Sequence, residues 1–171
     1  MEKKTVNIIN FENIETVYRK EKVNGAFRVL EFIAKMPKVE LETITRPHDL
    51  KDLLDKIFAT LEEDQEHLVL LILNAANEVR GYKVIASGGQ NYVDMDPRVI
   101  FRNALLLGAA NLILVHNHPT GKPTPSAHDL EVTKRVAEAG RILNVELLDH
   151  VIWTGEEVSS IREHAPDCFK S

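Results

Sequence analysis

A chain of 171 residues is long enough for one domain with a real core and a short appendage. Its apolar share of 44% and charged share of 27% exclude the disordered and fibrous classes. The net charge of −5 gives no support to duplex nucleic-acid binding as a main role. The basic residues Arg98, Arg102, Lys122, Lys134, Arg135 and Arg141 are spread among acids and read as solvated surface. No apolar run approaches the ~18–20 residues of a membrane helix, and residues 1–20 hold no signal-peptide core. The single cysteine, Cys168, excludes an intramolecular disulfide and suits a reducing compartment, so a cytoplasmic location is expected.

In chain order, Thr5–Ile9 and Ile14–Tyr18 have the composition of short strands. Between Val23 and Lys35, the recurrence of Phe27, Leu30, Ile33 and Ala34 predicts a helix ending before Pro37. Residues 1–45 are expected to form an extension packing on or beside a main domain that spans 46–171. Pro47 suits a first helical turn, and Leu50, Leu53, Leu54, Ile57 and Leu61 make one apolar stripe after it. His67–Leu73 is too short for a free helix and too apolar for a loop, so it reads as a central strand. Asn74–Asn77 is turn-like, and Val79–Ser87 predicts the returning strand of a hairpin, broken by Gly88-Gly89. A short extended piece, Asn91–Val93, follows.

Asp96-Pro97 signals a helix start, with Ile100, Phe101, Ala104, Leu105 and Leu107 on the buried face and Gly108 closing it. Ala109–Val115 reads as a buried strand leading into His116-Asn117-His118-Pro119. A turn-rich loop, residues 120–125, delivers Ser126 to a helix that buries Leu130, Thr133, Val136 and Ala137 and stops at Gly140. Val145–Trp153 predicts another central strand, and the ending a short strand with a frayed tail. Alternating strands and helices with an early hairpin imply an α/β fold, a mixed sheet flanked by helices.

The chemistry gathers at residues 116–129. Histidines two apart on a strand share a face, while Asn117 points the other way. Asp129 falls in the first turn of the following helix. His116, His118 and Asp129 are therefore three candidate metal ligands at a strand–loop–helix corner, the number a catalytic zinc site uses with one position left open. Such a metal would bring a water's pKa toward ~7 and polarise a carbonyl. Ser126-x-x-Asp129 is also a capping-box pattern, which explains both residues without a metal, and the two roles are compatible. Asp149-His150 is a second polar pair inside an apolar strand. There His150 is expected to be buried and paired to backbone or carboxylate, whereas His48, His67, His128 and His164 are expected on the surface.

His116-x-His118-Pro119, followed by Ser126-x-x-Asp129, resembles the JAMM motif of the MPN/JAB1 metalloprotease superfamily. The wider string from His116 through Ser126, with Ala139-Gly140-Arg141 and Leu147-Leu148-Asp149-His150, looks specifically like the bacterial RadC family. The resemblance covers roughly residues 65–165 and implies the cytidine-deaminase-like α/β fold of JAB1/MPN domains. It implies one Zn2+ on His116, His118 and Asp129, Glu66 as general acid/base and Ser126 as oxyanion stabiliser. None of these positions is substituted.

The activity so implied is zinc-dependent hydrolysis of a peptide or isopeptide bond in a protein or peptide substrate. The alternative is a scaffold or DNA-repair-associated module of RadC type without proteolysis. A third reading sets the metal on nucleic acid, against the acidic balance. Longer RadC proteins carry an N-terminal helix-hairpin-helix region, and residues 1–45 lack the Gly-x-Gly hairpin it needs, having only Gly25. Substrate choice is expected to lie in loops 88–95 and 119–125.

Overall fold

The computed structural model describes residues 47–90 and 92–170, and before them the backbone of five short strands. These are β1 (Lys4–Val6), β2 (Ile9–Asn10), β3 (Lys20–Val23), β4 (Ala26–Val29) and β5 (Val39–Leu41). After a 3-10 turn at Pro47–Leu50 come α1 (Lys51–Phe58), β6 (His67–Leu73), β7 (Val79–Ser87) and α2 (Pro97–Leu106). The remaining elements are β8 (Asn111–Asn117), α3 (Ala127–Leu143), β9 (Glu146–Trp153), β10 (Val158–Ser160) and α4 (Ile161–His164), then a 3-10 turn at Pro166–Phe169. None of the helices among the described residues is long and apolar enough to cross a membrane.

The main sheet runs β10-β9-β8-β6-β7-β2. β8 and β9 are parallel, as are β7 and β2, and the other neighbours are antiparallel. β6 is buried at every position because it lies mid-sheet with both faces covered, which explains its continuous apolar run. Its alternate residues serve different layers. Val69, Leu71 and Leu73 pack with Ile113, Val115 and Val151 under α1, whose Leu53, Leu54, Ile57 and Phe58 form the stripe. Leu68, Leu70 and Ile72 pack with Leu112, Leu114 and Leu147 under α2 and α3. Each fully buried Leu or Ile contributes about 1.5–3 kcal/mol relative to exposure. The α/β fold with a mixed sheet between helices is thus the observed one.

The structure corrects several expectations. Val23 and Ala26–Val29 belong to the β3–β4 hairpin, not to a helix. The apolar residues there alternate as well as a helix would require, and only pairing decides between the periods. Residues 30–35 and Ile14–Tyr18 lie outside the described residues, and Lys4–Val6 and Ile9–Asn10 are separate strands. β1 pairs with β5, whereas β2 lies along β7. Helix α3 passes through Gly140 and ends at Leu143, where Asn144 takes the left-handed conformation (φ 55°) that caps it. Gly140 serves packing instead: a Cβ there would meet the Val145 carbonyl oxygen at 2.5 Å and the Phe101 ring at 3.3 Å. On the same helix, Val132 is buried in place of Leu130.

The tail is not frayed. Ser160 caps α4, Ile161 is buried, and Phe169 packs on the core beneath the Arg162 guanidinium, 4.5 Å above its ring. Gly140→Ala is expected to cost about 1–3 kcal/mol by overpacking the α3–β9 corner. Urea unfolding midpoints would measure this, and an unchanged midpoint would refute the packing role.

Candidate metal centre

The site forms where the β6–β8 ladder runs out. Leu68 lies opposite His116 in the antiparallel register, and Ile152 of β9 flanks His116 on the other side. Because side chains alternate, His116 follows Leu112 and Leu114 onto the α3 side, where it is completely buried. The backbone of β8 carries on just far enough for His118 N–H to donate to the Trp153 carbonyl at 3.0 Å. Pro119 then ends the donors. Helix α3 begins at Ser126 with the capping box read from the sequence: Asp129 N–H donates to Ser126 Oγ (3.1 Å), and Ser126 N–H to Asp129 Oδ2 (2.7 Å).

This brings the three candidate ligands together. One ligand atom each from His116, His118 and Asp129 lies within 4.8 Å of the others. His116 Nε2 is 2.9 Å from His118 Nε2 and 3.4 Å from Asp129 Oδ1, and His118 Nε2 is 3.7 Å from Asp129 Oδ2. His118 Nδ1 sits 2.6 Å from the Lys122 carbonyl oxygen, which accepts only, so Nδ1 carries a proton and Nε2 faces the cluster. Two ring nitrogens at such a distance need a proton on one of them or a cation between them. With the carboxylate beside them, this donor set fits a divalent metal of the kind that takes imidazole and carboxylate.

The charges follow from burial and neighbours. Burial pushes the Asp129 carboxyl up, but the contacts with His116 and His118 and the hydrogen bond from Ser126 outweigh it and hold the group well below the usual carboxylate range. Burial lowers His116, against the pull of Asp129. In His118 the contact with Asp129 wins over burial and raises the imidazole. A pre-formed carboxylate beside imidazoles is the protonation state a metal requires.

Glu66, the expected acid/base, is 8% exposed at the start of β6, and burial raises its carboxyl, with His118 and Asp129 pulling in opposite directions. Its own N–H donates to the Gly89 carbonyl and its carbonyl accepts from Gly88 N–H. Both flanks are held by Asn117: its Oδ1 accepts from His67 N–H (2.7 Å) and its Nδ2 donates to the Gln65 carbonyl (2.8 Å). Asn117 was legible only as the residue pointing away from the histidines. It ties the strand carrying both histidines to the strand carrying Glu66. Gly88, read only as a strand breaker, must lack a side chain, since a Cβ there would overlap the Tyr92 carbonyl oxygen.

A cleft of about 380 Å³ opens beside the cluster, lined by Glu66, Tyr92, Met95, His118, Lys122 and Ser126 among others. Both loops expected to hold specificity thus reach it. Ser126 is placed at the cleft, but its Oγ–H donates to Asp129 Oδ2 (2.6 Å), so in this arrangement its proton is committed. His128 is exposed, as expected, and also lines the cleft. His67 is buried rather than on the surface, its ring between Ser87 Oγ (2.8 Å) and the Glu62 carbonyl (2.9 Å). That ring fills the β6–β7 end where a polar strand terminus needs partners.

Residues 44–166 match the RadC-like JAB domain family. The chain belongs to the RadC family. It is 48% identical over 99 residues to a UPF0758 protein of Geobacillus sp. (strain WCH70), covering 58% of this chain and 44% of that protein. A UPF0758 protein of Desulforamulus reducens is 37% identical over 140 residues, 82% of this chain and 61% of that one. One from Rubrobacter xylanophilus is 45% identical over 121 residues, 71% and 52% respectively. The RadC chain therefore spans about half the length of the curated relatives it matches.

Beneath the cluster of this RadC domain lies the His150 that the sequence marked only as a buried polar residue. It is completely buried, against His116 and Thr133 rather than a carboxylate or backbone group. Its neighbour Asp149 faces the other way and accepts from Ser160 Oγ, Arg162 N–H and His150 N–H. Burial drives His150 well below its ordinary 6.5, and His116 is lowered too. Below pH 6.5 the unfolded chain takes up protons that these folded histidines refuse, so stability falls with pH. The slope in metal-free protein is expected to approach about 1.4 kcal/mol per pH unit for His150. Urea midpoints at about pH 6.5 and pH 5.5 would show it, with His150→Gln flattening the slope.

Proposed function

We propose that the chain is a zinc-dependent hydrolase of the JAMM type that cleaves a peptide or isopeptide bond. The observation that carries this reading is the convergence of His116, His118 and Asp129, with ligand atoms within 4.8 Å, beside a cleft into which a buried glutamate also opens. Membership of the RadC-like JAB family supports it.

His116 and His118 would hold the ion through their Nε2 atoms and Asp129 through its carboxylate. When bound there, zinc supplies a Lewis acid for a carbonyl oxygen and brings the pKa of a water toward ~7. Glu66 takes up a proton from the attacking water on a carboxylate oxygen and passes it to the leaving amine nitrogen, acting as base and then as acid. Its burial strengthens it in the first role, because the charged form is less well solvated than in water. Asn117 keeps the Glu66 backbone in place on both sides during this exchange. Ser126 serves the developing oxyanion once its Oγ–H swings from Asp129 to the substrate oxygen, a rotation about one bond. The loop carrying Thr120, Lys122 and Thr124 and the segment of Tyr92 and Val93 both line the cleft, where a polypeptide would lie extended.

Elemental analysis of protein purified without chelator is expected to find about one zinc per chain in wild type and in Glu66→Gln, and its loss in His118→Ala. Against a peptide library read by mass spectrometry, Glu66→Gln is expected to lower cleavage by about 10²–10⁴-fold. A metal-free wild type, or undiminished cleavage by Glu66→Gln, would sink the mechanism.

A further inference from the structure

We propose that His150 and Thr133 are positioning residues that fix the tautomer of His116, and so decide which of its ring nitrogens is presented to the metal. The geometry is a chain of contacts with one permitted direction. Thr133 Oγ1 lies 2.5 Å from the Asp129 carbonyl oxygen, one helical turn back. A carbonyl only accepts, so the single hydroxyl proton of Thr133 is spent there. Toward His150 Nδ1, at 2.7 Å, Thr133 Oγ1 can then only accept, and His150 Nδ1 carries the proton. A neutral His150 has its other nitrogen bare, so Nε2 accepts from His116 Nδ1, at 2.8 Å. With Nδ1 protonated, neutral His116 keeps its lone pair on Nε2, the atom that meets His118 and Asp129.

Reversing the chain would leave either the Thr133 and Asp129 oxygens, or Thr133 Oγ1 and His150 Nδ1, together with no proton between them. It would also leave a fully buried polar atom without a partner. His150, His116 and Thr133 are all completely buried, so none of them can turn to solvent to escape the assignment. The start of α3 thus acts twice on the site. Asp129 offers its carboxylate directly, and its backbone carbonyl sets the sense of a hydrogen-bond chain that returns through Thr133 and His150 to His116. Ligating histidines elsewhere are oriented by a carbonyl or carboxylate on the second nitrogen. Here a second imidazole, polarised from the helix backbone, takes that place.

The tautomer stands on geometry alone, whereas its consequence for affinity rests on the metal reading above. Two measurements separate them. In metal-free, 15N-labelled protein, long-range proton–nitrogen correlations are expected to show His116 and His150 both protonated at Nδ1 and bare at Nε2. Zinc affinity, by competition with a chromophoric chelator, is expected to weaken about 10- to 100-fold in Thr133→Val and His150→Leu. His150→Gln, whose amide can accept from His116 and donate to Thr133, is expected to stay within a few-fold of wild type. Circular dichroism and melting temperature confirm that each variant is folded. Should His150→Leu fail to fold, Thr133→Val, which exchanges a hydroxyl for a methyl of the same shape, carries the comparison with His150→Gln. A proton found on His116 Nε2, or unweakened zinc binding in folded Thr133→Val, would overturn the proposal. A wild type that binds no zinc while showing the expected tautomers would overturn the metal reading and leave the relay in place.

Discussion

The arrangement depends on the register of β6 against β8. Leu68 stands opposite His116, so the start of one strand and the end of its antiparallel neighbour meet at the same edge of the sheet. A slip of one residue would turn His116 to the α1 side and Asn117 to the α3 side, dissolving both the ligand cluster and the anchor of Glu66. The register is strongly specified because both faces of both strands are buried. Every alternate residue of β6 and β8 has a place in one of two cores, and a shifted strand would exchange them all.

What the sheet positions, the polar atoms then make rigid. Beyond Leu68 and His116 the backbone ladder stops, and the Asn117 amide takes over by bonding to the residues on both sides of Glu66. On the opposite face the His116 ring is held by His150 and Thr133. Neighbouring residues of one strand therefore use the two faces of the sheet for two tasks, one fixing the candidate base and the other the first ligand. Buried polar groups so fully paired are costly to disturb, since any vacancy leaves an atom desolvated without a partner. They make a site that needs little rearrangement to accept a cation.

The central strands were legible because burial on both faces leaves long apolar runs of strand length, as in His67–Leu73. The start of α2 was legible from Asp96-Pro97, and that of α3 from Ser126-x-x-Asp129, because capping is local chemistry. Other positions misled for equally physical reasons. Residues 23–29 carry apolar spacing compatible with either period, and pairing in space made them a hairpin. Gly140 has the composition of a helix stop, but the closeness of Val145 and Phe101 is what requires it. His67 looks like its exposed counterparts in a string of letters, whereas the burial of His150 was legible and only its partners, His116 and Thr133, were not.

By itself the sequence determined the α/β class, the order of the core elements and the candidate ligands His116, His118 and Asp129. Each of these rests on spacing within a short segment, where backbone periodicity alone decides what shares a face. Only the tertiary structure decided that Asn117 serves Glu66, that Ser126 has its proton committed to Asp129, and that His150 stands behind His116. Those relations join residues from separate strands and a helix. They are set by strand register and by the direction of each hydrogen bond, and neither is written in local spacing.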